Sequence, residues 1–429
     1  MRSLAIPSVL SVTLLACTEA AGPSKGPTAR FAVVTSSLSY RAIDLGTLGG
    51  NLSQATAVND AGQVAGISRP PGALVHAFLW DGTMHDLGTL SGTRSAAGGI
   101  NAAGHVVGTW GTPLANRVFL WDGTMHDLGD FGFNTPIISV SGNNDSGYIV
   151  GTVTTSTAQL AYRWDGTTAL TLGTLPGGTY SRGFAINDAG HVVGESGAVV
   201  STNEHPFLWD GAMRDLGTLG GVRGSARAIN TGGLVVGDAE TASGERHAFL
   251  WDGTTMRDLG TLGGTASAAS GINDFGVVVG SSTTSSGELH AFVWDGTMYD
   301  LGTLGGSESH ASAINNAGQV VGYSLTAAGE QRATMWQKLT PVEQLQICSA
   351  LVSSLENAGV ATSGQARSLL NKIRLATALL SQARSIPALN VLEALLNEVN
   401  ALGQSGALTP GSTSQLTACV QPVVDAVAN

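Results

Sequence analysis

His247-Ala248-Phe249-Leu250-Trp251-Asp252-Gly253-Thr254-Thr255-Met256-Arg257-Asp258-Leu259-Gly260-Thr261-Leu262-Gly263-Gly264 is the stretch whose reading decides the fold. Two apolar runs flank Asp252-Gly253, the strongest short hairpin signal a sequence offers. Upstream, Asn230-Thr231-Gly232-Gly233 has asparagine at the first and glycine at the fourth position. That arrangement suits a type I turn whose last residue is left-handed. Strand-like residues flank it, Ala228-Ile229 before and Leu234-Val235-Val236 after. One unit is therefore four short strands, here named a to d.

The unit recurs. Asn-x-x-Gly turns begin at Asn59, Asn101, Asn144, Asn187, Asn230, Asn273 and Asn315, and these asparagines number the units one to seven. A further glycine follows each turn glycine, from Gly66 to Gly322, and then a tryptophan, from Trp80 to Trp336. Four-stranded units repeated at this spacing are the content of propeller blades. The Leu-Gly landmark runs out of phase with the others. Its first copy, Asp44-Leu45-Gly46, has no aromatic strand before it, and Trp336 is followed by Gln337-Lys338 and no strand d. The unmatched strand at the start complements the unmatched blade at the end, leaving no free sheet edge. The expectation is a mainly β chain: a seven-bladed β-propeller over residues 39–338, closed by an N-terminal strand.

These residues resemble the HAF repeat family of exported bacterial proteins, named for the triplet seen at His76, His247 and His290. The resemblance implies a propeller-like exported repeat protein and no particular activity. The third unit departs most, with Gly129-Asp130-Phe131-Gly132-Phe133 in place of Gly-Thr-Leu-Gly-Gly, Asn143 in place of isoleucine, and Thr171-Leu172 where aspartate is expected.

Before the repeat, Arg2 and the apolar run Leu4 to Ala16 form an export signal too short to span a bilayer. Leu14-Leu15-Ala16-Cys17 resembles the bacterial lipoprotein signal, which implies that residues 1–16 are removed and Cys17 is acylated. An ordinary cleaved signal is the alternative. Thr18 after the cysteine, by resemblance to Gram-negative lipoproteins, implies the outer membrane. Residues 17–38, rich in Gly, Pro, Ser, Thr and Ala, read as a flexible tether.

Past Leu339 the pattern becomes helical. Thr340-Pro341-Val342-Glu343 is a capping box with proline at the first helical position. Stripes follow at Leu345, Cys348, Val352 and Leu355, at Leu369, Ile373 and Ala376, at Leu392, Leu396 and Val399, and, from about Ser412, at Leu416, Cys419, Val420 and Val423. Residues 340–429 thus read as a small four-helix bundle, and they resemble the FIMAH module of exported bacterial proteins. Cys348 and Cys419 lie on the stripes of the first and last helices. Export favours a disulfide between them; two buried free thiols are the alternative.

The formal charge is −11, with no basic stripe, which excludes nucleic-acid phosphate as a partner. No His-Glu-x-x-His, phosphate loop, serine elbow or calcium loop is present, so no catalytic residue, metal ligand or cofactor is assigned. Most aspartates recur at fixed turn or strand positions and read as structural. The cation at His76, Arg117, His205, His247, His290 and Arg332 reads as the partner of a strand carboxylate. Binding candidates are residues that leave the repeat: Trp110, where other units have Ser, Val or Ala, and Phe133 and Tyr180 in loops between units. The leading functional reading is a surface-tethered, non-catalytic scaffold for a protein or glycan ligand, attached to the membrane through its lipid. A propeller hydrolase or lyase, or an envelope component docking through its helices, is the alternative. Unpaired carboxylates at one channel mouth would favour the enzyme.

Overall fold

The computed structural model describes residues 31–33, 40–112, 115–134, 137–156, 158–198 and 203–428. Cys17 and the export signal lie outside them. Units one to five each form a four-stranded antiparallel sheet in the order a-b-c-d, as in Ser53–Val58, Val64–Ser68, His76–Trp80 and Met84–Gly88. Units six and seven share a nine-stranded sheet, joined by a single parallel bridge between Leu289 and Glu308. The c–d connection is longer than Asp-Gly alone. Trp251 pairs with Met256, and the Asp252 carboxylate caps the turn, accepting from the backbone of Thr254 and Thr255 at 2.9 and 2.8 Å.

Packing explains the glycine of strand b. Phe78 lies on Gly66, and a Cβ at that glycine would sit 2.7 Å from the ring and 2.1 Å from the Gln54 carbonyl. The same contact recurs at Gly108 with Phe119 and at Gly194 with Phe207. These rings are fully buried, as are Phe249 and Phe292. Each contributes about 1.5–3 kcal/mol of apolar burial.

A serine of strand a fastens neighbouring units. Ser95 accepts from Ala77 N at 2.8 Å and donates to the Gly88 carbonyl at 2.5 Å, bridging strands c and d of the unit before it. Ser181, Ser267 and Ser309 do the same. Ser53 reaches instead to the far end of the repeat: it accepts from Ala333 N at 2.8 Å and donates to Gly46 O at 2.6 Å. Gly46 follows the strand Tyr40–Asp44, which pairs antiparallel with Gln331–Lys338, Ile43 opposite Met335. A short strand, Phe31–Val33, pairs in turn with Tyr40–Asp44. It falls within the span read as tether, whose composition hides a three-residue strand that propensity alone is too weak to mark.

Four helices follow: α1 (Pro341–Asn357), α2 (Ser363–Ser381), α3 (Ser385–Gln404) and α4 (Pro410–Ala428). Thr340 and Thr362 both head complete capping boxes, with Glu343 and Gln365. The fourth helix starts at Pro410, two residues before the expected Ser412, because Thr409 supplies its cap by accepting from Ser412 N at 3.2 Å. Leu345, Leu369, Leu392 and Leu416, one from each helix, share a single core. Cys348 and Cys419 are bonded, with Cα atoms 5.7 Å apart. Arg41 meets Glu343 at 3.5 Å where the helices join the repeat.

Candidate functional site: the central channel

The turn asparagines meet one another. Each accepts the amide of the residue four positions on through Oδ1, as Asn59 does from Gln63 at 3.0 Å. Each donates Nδ2 to the backbone carbonyl of the next unit's asparagine. The bonds measure 2.9–3.4 Å, and the last, from Asn315, returns to Asn59. All seven asparagines are buried at 4–7% exposure. With the residues after them they line a cavity of about 210 Å³.

The residues after the asparagines make an outer ring at the same mouth. Asp145 accepts from Ala102 N, Asp188 from Asp145 N, Asp274 from Thr231 N, Asn316 from Asp274 N and Asp60 from Asn316 N, at 2.8–3.1 Å. Burial opposes ionisation of Asp274, but bonds from Thr231 and Asn316 outweigh it and hold the carboxyl below its ordinary value. The carboxylates at this mouth are thus engaged in fastening one unit to the next. Among the described residues no three His, Cys, Asp or Glu side chains are grouped to hold a metal ion.

On strand a, the third position before the asparagine carries a side chain in every unit but the second, which has Gly98. In units one, three and six this residue is Thr56, Ser141 or Ser270, and its hydroxyl donates to strand a of the next unit at 2.8–3.1 Å. Those bonds put the position on the wall where first strands adjoin. Units four and five carry Phe184 and Arg227 there, and the Arg227 guanidinium lies 4.5 Å from the Phe184 ring centre. Behind them Glu195 and Asp238 are each 5% exposed. Arg182 holds Glu195 at 2.8 Å and Arg246 holds Asp238 at 2.5 Å, while Arg227 approaches Asp238 only to 3.6 Å, through Nε. Burial pushes the Asp238 carboxyl up against the pull of the arginines. His310, on strand a of unit seven, stacks on Tyr323 with ring centres 5.7 Å apart. Burial pulls the His310 ring below its ordinary value, and its Nδ1 has no hydrogen-bond partner.

Strand cations pair with strand carboxylates. His76, His205, His247 and His290 reach Asp86, Asp215, Asp258 and Asp300 at 2.8–2.9 Å, and Arg117 reaches Asp127 at 3.0 Å. Unit three lacks both partners, with Leu160 and Thr171 in their places. The two positions change together, as a pair does.

The sequence candidates lie elsewhere. Trp110 is inside strand Val106–Thr112, 8% exposed, packed with Leu79 and Val106, and its indole donates to Asp127 at 3.2 Å. Tyr180 begins a strand and is 7% exposed; burial and a bond to Glu204 push its phenol up. Phe133 packs on Tyr162 at 5.7 Å, while Phe131 stacks on Trp164 at 4.8 Å. The unusual loop of unit three thus feeds aromatics into its own core. None of the three candidates lines the channel. Sequence reasoning missed Phe184, Arg227 and His310, whose signal was departure at a fixed strand position, and Phe275, 78% exposed on a turn where other units have Ala, Ser or Gly.

No family model matches this chain, and no curated protein does. Solved structures similar to it include TolB from Acinetobacter baumannii, at 15% identity and TM-score 0.36, covering 47% of this chain and 52% of that one. This chain spans about half the length of TolB. The β-propeller domain of the Trilobed protease from Pyrococcus furiosus is 12% identical with TM-score 0.44, covering 66% of this chain and 95% of that one. The SapL1 lectin, solved with alpha methyl fucoside, is 15% identical with TM-score 0.37, covering 58% and 95%.

Proposed function

We propose that this chain is an exported, lipid-anchored binding scaffold with no catalysis of its own. Its body is a seven-bladed propeller, in which Tyr40–Asp44 serves as the outer strand of the blade containing Trp336. Cys17 carries the lipid in the outer membrane, and the helices form a separate module after the ring. The returning bond from Asn315 to Asn59 and the bridge from Ser53 to Ala333 support closure.

The observation that carries the binding reading is where the units differ. Turn asparagines, strand glycines and cation–carboxylate pairs are nearly uniform, as a fold requires. The strand-a wall is not uniform: Phe184 and Arg227 occupy a position that holds Gly, Ser or Thr in the other units, and His310 one that varies among Gln54, Arg182, Ala and Ser. A hydrolase would need a free acid or base at the mouth, and the carboxylates there are held by neighbouring backbone amides. The ligand is a glycan or a protein that reaches into the channel.

Fractionation and binding test the reading together. Wild-type chain is expected in the outer-membrane fraction and a Cys17→Ser variant outside it. Purified chain is expected to bind members of an immobilised glycan panel without altering them. Turnover of a glycan or ester, lost in an Asp188→Asn variant, would replace the scaffold by an enzyme.

A further inference from the structure

We infer that the strand-a wall of units four and five binds the carboxylate of an acidic sugar through Arg227. This rests on the scaffold reading above and names its ligand class.

Three observations converge on this arginine. Two guanidinium groups serve the one buried carboxylate of Asp238, and Arg246 holds it at 2.5 Å. Arg227 meets it only with Nε at 3.6 Å, so its terminal amino groups are left over. Its side chain is 41% exposed. The guanidinium also lies 4.5 Å from the ring centre of Phe184, and an aromatic neighbour holds such a group in place while its N–H edge stays available. A planar fork held this way matches a carboxylate, which accepts two parallel bonds.

The surroundings select for the kind of acid. Thr56, Ser141 and Ser270 add hydroxyls along the same wall, which suits a polyhydroxylated acid better than an apolar one. In a chain of net charge −11, a surplus cation at this depth also gives the channel a local sign opposite to the molecule's own.

The test is calorimetric titration of the full chain with digalacturonic acid, with the neutral disaccharide lactose and a Glu-Glu dipeptide as comparisons. Digalacturonic acid is expected to bind at least tenfold more tightly than either. Arg227→Gln should weaken it at least tenfold, Arg227→Lys less, and Arg257→Gln, which removes a cation over Trp294 on an outer strand, not at all. Arg227→Lys also serves if Arg227→Gln fails to fold. Equal affinity for lactose would overturn the carboxylate, equal affinity for the dipeptide would overturn the sugar, and indifference to both Arg227 variants would overturn the site. None of these results would affect the scaffold reading, which fails instead on turnover or on mislocalisation.

Discussion

Asn315 donates its side-chain amide to the carbonyl of Asn59 at 2.9 Å, across 256 positions of sequence. The same bond, from Asn187 to Asn230 at 3.1 Å, spans only 43. If the two belong to one ring, they stabilise alike. Asn315→Ala and Asn187→Ala should each cost about 2–4 kcal/mol in urea unfolding, since each loses a buried donor and an acceptor together. A near-neutral Asn315→Ala beside a costly Asn187→Ala would mean that the ends are not joined.

Pro206 and Gly224 form a second coupled pair. Strand c of unit four has no amide at Pro206, and the serine that would accept it is replaced by Gly224. A Cβ there would meet Pro206 Cδ at 3.0 Å. Gly224→Ser alone should destabilise by about 1–2 kcal/mol, and Pro206→Ala should reverse much of that by restoring the donor. A double-mutant cycle is expected to show a favourable coupling of about 1 kcal/mol. Strict additivity would sever the two positions.

How much of this was legible in the sequence follows from the kind of constraint at each position. The turn asparagines, the strand glycines under Phe78 and its counterparts, and the His–Asp pairs answer to forces repeated in most or all units, so recurrence exposed them. The capping boxes at Thr340 and Thr362 were local and equally readable, although only the first was read. Trp110 misled because an aromatic replacing serine looks like an exposed addition. Within strand Val106–Thr112 it instead fills space beside Leu79, and the nearby Asp127 accepts its indole N–H. Arg227 and His310 stayed hidden for the opposite reason. Their surroundings, Phe184 and Asp238 around Arg227 and Tyr323 beside His310, come from strands that only folding brings together.

The His290–Asp300 pair should impose a pH dependence of known sign. The bond to Asp300 raises the imidazole above its ordinary value, burial opposing and the Asp300 and Glu288 charges assisting. The folded value exceeds the unfolded one of about 6.5, so the stabilisation is full below that pH and is lost as pH rises through the folded value. Asp300→Asn, which keeps an acceptor for Gly302 N, should therefore cost up to about 1 kcal/mol at pH 5.5 and less at pH 9. Thermal unfolding at both values checks this; a larger loss at pH 9 would reverse the assignment.

The Cys348–Cys419 bond closes 71 residues of the helical bundle. In the loop-entropy account this stabilises by roughly 4 kcal/mol. Reduction should lower the melting temperature of the helical transition, followed by far-ultraviolet circular dichroism, and leave the β transition in place. An unchanged helical transition would assign bundle stability to its leucine core alone.

Closure is the central claim, and a crosslink reads it most directly. Ile43 stands opposite Met335 in the paired strands, where facing side chains come within about 4.5–5.5 Å. A chain bearing Ile43→Cys and Met335→Cys, mildly oxidised and mapped without reduction, should yield the two peptides joined. Ile43→Cys with Phe119→Cys, far nearer in sequence but in a different core cluster, should yield free thiols. Joining to position 119, with none to 335, would contradict the closed ring.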